Sequence, residues 1–402
     1  MKIIHVLGDS SYGGAAKSIL RLAKLWVTAG WEVSILTSDP QFQQAAKDEG
    51  LDFAGVDCIW REIRPWKDLI GLVRLWRFLR KEQVTIVHTH TTKAGFVGRI
   101  AARLAGVPIV IHTVHGFAFH EGSSRAKIGF YAFLEKIAGY CCDRIITVSH
   151  FHKQWALDLQ IAPDAKLKAI PNGIPDIQEA AGASRKEVRA SLGIPDGEVM
   201  LFTPGRLALE KGLEDLLAAV ANTQGRLQHT LHLVLAGDGP LRSVLEQNAQ
   251  TLGLFGQVRF LGFRTDIGDL LKASDIVALP SLREGLSISL LESMSAGRAI
   301  IATTIGSNLE AVGGSENLDQ AALMIEPGNR HALTEAIIHL TEDSALRDVL
   351  GKQARCRWEQ NYTLEQAQDK YIKTYQQLLA SRFKSSADPL QTPSTTRKGP
   401  GG

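Results

Sequence analysis

The sequence predicts an α/β protein of two doubly wound, Rossmann-like domains whose parallel sheets face each other across a cleft. Three observations carry this. The chain has 402 residues, 45% of them hydrophobic, enough for two cores rather than one. Short apolar, β-branched runs alternate with longer amphipathic ones, the pattern of parallel strands buried on both faces and joined by helices. The runs also fall into two series, parted by a stretch rich in proline, glycine and polar residues.

The first series comprises IIHVLG at 3–8, EVSILTS at 32–38, VTIVHTH at 84–90, PIVIHTV at 108–114 and RIITVS at 144–149. The opening apolar run is short and soon reaches Asp9, so it reads as a first buried strand rather than a signal peptide. The break, around 170–198, contains one short helical pattern at 185–192. The second series is VMLFTPG at 199–205, HLVLAG at 232–237, VRFLGF at 258–263, IVALPS at 276–281 and AIIATT at 299–304. A last helical pattern covers 364–379. The expected division is a first domain at 1–172, a linker at 173–197, a second domain at 198–362 and a disordered tail at 383–402, which lacks core residues.

Composition narrows the function. A net charge of only +3 does not suit a general nucleic-acid binder. Cys58, Cys141, Cys142 and Cys356 form no C-x-x-C pair, which speaks against a zinc or redox motif and for a reducing compartment. No apolar run reaches about 18 residues, so no spanning helix is expected and the protein is placed in the cytoplasm.

In doubly wound sheets ligands bind beyond the carboxyl ends of the strands, so the residues that follow strands are the candidates. After the first strand, Gly13 and Gly14 precede a helix starting near Ala15. They either make a tight turn or let the backbone approach a phosphate at the helix N-terminus. After VMLFTPG, Arg206 and Lys211 bracket a helix start, where the dipole disfavours cations unless an anion such as a diphosphate lies between them. GDGP at 237–240 reads mainly as a turn before a helix.

The stretch LREGLSISLLESMSAG at 282–297 places Glu284 in a loop and Glu292 on a helix starting between Leu286 and Ser289. The N–H groups of Leu286, Ser287 and Ile288 are then available to phosphate oxygens. The two carboxylates can accept from sugar hydroxyls. Helix-dipole compensation explains Glu284 but not Glu292, which lies beyond the first turn. His115, beside Gly116 after PIVIHTV, can meet a substrate hydroxyl or simply bond to backbone; His88 and His90 are weaker candidates of the same kind. The histidines are not spaced like a metal site, and no D-x-D occurs to hold a divalent ion on a nucleotide sugar.

Taken in order, Gly13–Gly14, His115–Gly116, IPNGI, GRLALEKG, GDGP and PSLREGLSISLLESMSAGRAIIAT resemble the family-4 retaining glycosyltransferases of bacterial envelope polysaccharide synthesis, which have the GT-B fold. The resemblance covers nearly the whole chain up to the tail. It implies Arg206 and Lys211 on the donor diphosphate, Glu284 on the donor sugar, Glu292 on the ribose and His115 near the sugar 6-position. It also implies that Gly14 closes on the phosphates, that no cofactor or metal is needed, and that a final helix at 363–381 crosses back to the first domain. Departures fall at Leu286–Ser287, Ala299 and Gly306–Ser307, where donor contacts are made, and leave the donor sugar open. The expected partners are a nucleotide-sugar donor, with UDP favoured, and a glycan or polyprenyl-linked acceptor. A nucleotide-sugar epimerase and a non-catalytic sugar-binding assembly partner are the alternatives.

One further segment, 60–83, holds Trp60, Trp66 and Trp76 and has seven cationic residues against three acidic ones. Leu72, Leu75, Trp76 and Leu79 make a core-like stripe, while the basic face suits an anionic membrane surface.

Overall fold

A computed structural model of the chain describes residues 1–8, 13–60, 64–180, 182–314 and 320–383. Apart from Phe383, the tail read as disordered lies outside them, as does Arg61 of the basic segment. The described chain forms two compact units. Met1–Ile146, Ala156–Lys168 and the chain from Gln368 make the first; Thr147–Trp155 and Ala169–Ala367 make the second.

The first unit contains β1 (Lys2–Val6), α1 (Gly14–Thr28), β2 (Glu32–Leu36), α2 (Pro40–Asp48), β3 (Asp52–Phe53), α3 (Pro65–Lys81), β4 (Ile86–His90), α4 (Thr92–Leu104), β5 (Ile109–Val114) and α5 (Arg125–Tyr140). Then come β6 (Arg144–Thr147) and β7 (Leu167–Ala169); α6 (His150–Asp158), between them, starts in the second unit and ends in the first. The seven strands are ordered β3-β2-β1-β4-β5-β6-β7. Every residue of β4 and β5 is buried, because helices cover both faces.

The second unit contains α7 (Arg185–Ser191), β8 (Val199–Pro204), α8 (Leu213–Ala221), β9 (Leu231–Ala236), α9 (Arg242–Thr251), β10 (Val258–Phe260), α10 (Ile267–Ala273), β11 (Ile276–Leu279) and α11 (Ile288–Ser295). It continues with β12 (Ala299–Thr303), α12 (Gly306–Val312), β13 (Leu323–Ile325), α13 (Arg330–Glu342) and α14 (Ser344–Asn361); α15 (Leu364–Arg382) begins here and passes into the first unit at Gln368. The strand order is β10-β9-β8-β11-β12-β13, and the β8–β9, β8–β11 and β11–β12 ladders are parallel.

The period of two along each strand divides the core. Met200 and Phe202 of β8 pack with Leu290, Leu291 and Met294 of α11. Leu201 faces the other way, into the cluster of Leu216, Leu217 and Ile337. The segment read as a linker is packed into this unit. Ser184 and Glu187 form a capping box on α7. Arg189, buried, donates to Asp275 and to the carbonyls of Pro195 and Glu198.

Candidate active site

In the second unit the expected residues gather beyond the carboxyl ends of β8 and β11. Arg206 lies in the loop after β8, and Lys211 ends a short 3-10 turn that leads into α8. Two features hold this loop. The GDGP turn presses its backbone on Gly205–Leu207, where a Cβ on Gly239 would stand 2.4 Å from the Leu207 carbonyl oxygen; the Leu207 N–H donates to the Asp238 carbonyl at 3.0 Å. Gly212 has φ +63°, and a Cβ there would lie 2.2 Å from the Pro280 carbonyl oxygen. Only glycine lets the Lys211 loop come this close to the end of β11. The Leu282 N–H then donates to the Glu210 carbonyl at 2.8 Å, joining the two loops.

Both cations have carboxylate partners. Lys211 Nζ pairs with Glu284 Oε1, which also accepts from Ser281 Oγ at 2.9 Å. Arg206 pairs with Glu210. Burial opposes ionisation of Glu210, but the Arg206 hydrogen bond, a backbone hydrogen bond and the charges of Arg206 and Arg283 together outweigh it and hold the carboxyl below its usual range. Pro204, Gly205, Arg206, Lys211, Pro280 and Ser281 line a small pocket here. The expected cation pair is therefore a set of two ion pairs. Glu210 and Ser281 are additions that sequence reasoning missed.

The helix after this loop starts at Ile288, with Ser287 as its N-cap accepting from the Leu290 N–H at 3.3 Å. Among the described residues no acceptor takes the N–H groups of Leu286, Ser287 or Ile288. Glu292 lies on the same helix and is buried, at 7% exposure. Ser289 Oγ donates to the Pro204 carbonyl at 3.2 Å, which ties α11 to the end of β8. Glu310, which follows the Gly306–Ser307 departure from the family pattern, serves the fold. Its carboxylate accepts from the His150 and Phe151 N–H groups at 2.9 and 2.7 Å, at the start of α6.

In the first unit, α1 starts at Gly14 with Gly13 as N-cap; among the described residues no side chain caps it and no acid stands in its first turn. His115 and Gly116 follow β5. Burial pushes the His115 imidazole down to about 4, and its Nδ1 has no partner among the described residues. Its Nε2 meets His90 Nδ1 at 3.1 Å.

The expectation that the histidines are not arranged like a metal site needs correction. His5, His88 and His90 are buried with ligand atoms within 4.8 Å of one another. His5 and His88 are register partners on β1 and β4, and His90 is two residues further on the same face. The HTH alternation was the available signal; the pairing with His5 is a long-range contact that sequence spacing does not carry. These nitrogens already have neighbours. His88 bonds Tyr375 Oη at 2.6 Å and Thr113 Oγ1 at 2.7 Å, and His90 Nε2 meets His5 Nδ1 at 3.0 Å.

Comparisons with known proteins identify the family. Residues 13–173 match the glycosyl transferase 4-like domain, and residues 184–357 match glycosyl transferases group 1. The chain is 31% identical over 386 residues to the UDP-Gal:alpha-D-GlcNAc-diphosphoundecaprenol alpha-1,3-galactosyltransferase of Escherichia coli, covering 95% of this chain and 98% of that protein. It is 29% identical to the putative glycosyltransferase EpsD of Bacillus subtilis, over 71% of this chain and 76% of that protein. Among solved structures, Anabaena Alr3699/HepE in complex with UDP and glucose superposes with a TM-score of 0.79 at 21% identity, covering 94% of this chain and 100% of that one. The chain is thus an enzyme of the glycosyltransferase class, and it belongs to the family-4 glycosyltransferases of the GT-B fold.

Proposed function

We propose that the protein transfers a sugar, with retention and without a metal, from a UDP-sugar to a polyprenyl-diphosphate-linked glycan in polysaccharide synthesis. The observation that carries this is the pair of exchangeable ion pairs, Arg206–Glu210 and Lys211–Glu284, at the carboxyl ends of β8 and β11. A donor diphosphate competes for both cations. As the bond to the sugar breaks, negative charge grows on the diphosphate, and Arg206, Lys211 and the N–H groups at the start of α11 stabilise it. With no D-x-D sequence in the chain, that charge falls to these residues. Glu284, released from Lys211, accepts from the donor sugar hydroxyls, and Glu292 accepts from the ribose. Gly13 and Gly14 offer the α1 N-terminus to phosphate, and His115, beside Gly116, meets the sugar. The acceptor hydroxyl attacks from the leaving-group face and passes its proton to a phosphate oxygen. The preference for UDP and for a lipid-linked acceptor is supported by the name of the Escherichia coli relative. Relatives named as glycosyltransferases favour transfer over the epimerase and the non-catalytic alternative.

Such an acceptor lies in a membrane, and two helices of the first unit suit contact with one. On α3, Trp66, Leu69 and Ile70 are exposed, beside Arg74, Arg77, Arg80 and Lys81. Trp60 precedes the helix, while Leu75 and Leu79 bury the opposite stripe. On α5, Phe130, Phe133, Ile137 and Tyr140 recur at helical spacing and are exposed, with Arg125, Lys127 and Lys136 around them. The acid of α5, Glu135, is buried against Arg99, so the charge this helix shows to solvent is cationic. Among the described residues no helix is long and apolar enough to cross a membrane, and the contact proposed is a peripheral one. The test is turnover: the pure chain with a panel of nucleotide sugars and a short polyprenyl-diphosphate-GlcNAc acceptor should form product with a UDP-sugar. Turnover confined to GDP-sugars, or hydrolysis and epimerisation without transfer, would reject the reading.

A further inference from the structure

His5, His90 and His115 form a line of rings running from inside β1 to the end of β5. His5 Nδ1 is 3.0 Å from His90 Nε2, and His90 Nδ1 is 3.1 Å from His115 Nε2. In both pairs the ring centroids are 5.3 Å apart, with interplanar angles of 20° and 33°. That separation is close to the N···N distance plus the two centre-to-nitrogen lengths. The rings therefore meet edge to edge and in line, which is hydrogen-bond geometry. His88 lies against His90 but has both nitrogens engaged by Tyr375 and Thr113, so it does not compete for this line.

Burial keeps the rings neutral. It pushes His5 down to about 3 and His115 to about 4, and holds His90 well below its usual value. A neutral imidazole has one N–H and one lone pair. A line of three such rings has two hydrogen-bonded arrangements. In the first, His5 Nδ1 donates to His90 Nε2, His90 Nδ1 donates to His115 Nε2, and His115 carries its own proton on Nδ1. In the second every bond reverses, His115 Nδ1 is a bare acceptor, and His5 Nε2 holds an N–H.

The two ends decide between them. His5 Nε2 and His115 Nδ1 are both buried without a partner among the described residues. His5 is fully buried on its strand, whereas His115 is half-buried beyond the carboxyl end of β5, the position at which such sheets take their ligands. A buried N–H without an acceptor is rarer in proteins than an acceptor left bare. The first arrangement puts the bare lone pair at the closed end and the N–H at the end a substrate can satisfy.

We propose that His5 and His90 are positioning residues that fix His115 as the Nδ1–H tautomer, making it a hydrogen-bond donor to an oxygen of the donor sugar. This rests on the assignment of His115 to the sugar given above. A sugar that presents an acceptor oxygen at that position is bound, and its deoxy analogue loses the contact.

The tautomer can be read directly in the full chain by long-range 1H–15N spectra of histidine-labelled protein at neutral pH, with His115→Gln supplying the assignment. The free protein should show His115 protonated at Nδ1 and bare at Nε2. His5→Leu, which does not touch His115, should shift it toward the Nε2–H form. His5→Asn, whose amide nitrogen stands near the place of Nδ1, should keep the original tautomer. The same pair should split kinetically. His5→Leu should raise the KM for UDP-sugar about fivefold, the size of one ordinary hydrogen bond, with UDP affinity unchanged, and His5→Asn should restore it. One His115 tautomer shared by all three proteins, or a bare Nδ1 in the free chain, overturns the proposal. So does one equivalent of zinc bound by the dialysed protein and lost in His5→Leu, which would make the cluster a metal centre. His115→Ala separates the underlying assignment: an unchanged preference for UDP-sugar over UDP removes the sugar contact whatever the tautomer shows.

Discussion

At the scale of single residues, the candidate site is built of ion pairs. Lys211 and Glu284 hold each other, and in the proposed function a diphosphate and a sugar part them. Lys211→Ala should mainly lower kcat, because it serves charge that grows in the transition state, and steady-state kinetics reads this as a kcat loss larger than any rise in KM. Glu292→Ala should weaken UDP binding by about 1–3 kcal/mol, as expected for a buried carboxylate bonded to ribose hydroxyls. Calorimetry giving the wild-type affinity would remove that assignment. The buried histidines set a second expectation. Desolvation lowers His5 to about 3, and His115 and His152 to about 4. The unfolded chain then binds more protons than the folded one below about pH 6.5, the ordinary histidine value, so stability falls as pH drops through that point. Thermal unfolding should show a midpoint that declines between pH 6.5 and 5.5, before carboxylates titrate. A flat midpoint across that interval would show that these rings are not buried neutral. Residue types and order singled out Arg206, Lys211, Glu284 and Glu292 as candidates in the sequence, and the structure sets Lys211 against Glu284. Glu210 was not legible, because an acid four residues after an arginine is an ordinary surface pair. Nor was the His5–His90–His115 line, which exists only once β1, β4 and β5 lie side by side.

At the scale of elements, all ten apolar runs read as strands form strands, and three more appear. The additions, β3, β7 and β13, have two or three residues each and stand at sheet edges. Elements this short have no periodicity to read; the neighbouring strand creates them by pairing. The end of the linker pattern is a similar case, since the buried Arg189 contacts in α7 reach residues 84 and 86 positions away. Loop geometry depends on close approaches that only the assembled sheet reveals. Gly212→Ala should force a side chain into a left-handed backbone against Pro280, costing about 1–3 kcal/mol and displacing Lys211. Stability and kcat should fall together in that variant, and loss of neither would mean the loop is not held there. For α3 and α5 the expected readout is sedimentation with liposomes. Each cationic residue near an anionic surface contributes roughly 1 kcal/mol. Binding should need anionic lipid and fade as salt screens the field, over about 10 Å at 0.1 M. Exchanging Phe130, Phe133 and Tyr140 for serine should abolish it, as should exchanging Arg74, Arg77 and Lys81 for glutamine. Equal, negligible sedimentation with anionic and neutral liposomes would leave both helices as ordinary surface.

At the scale of the whole molecule, two parallel sheets each bring their candidates to the carboxyl ends of strands, and the fold repeats a phosphate-favouring plan twice. The first unit has the start of α1, which no side chain caps among the described residues, and the second has the start of α11 and, after β8, two ion-paired cations. The central claim is that these protein groups alone carry the charge of the departing diphosphate. Transfer from a radiolabelled UDP-sugar to a polyprenyl-diphosphate-linked acceptor, followed in excess EDTA, tests it most directly. Turnover should persist at the rate seen without chelator and should drop at least about tenfold in Lys211→Ala, the scale of one lost charge-assisted contact. Complete loss of transfer in EDTA, restored by manganese, would contradict the account.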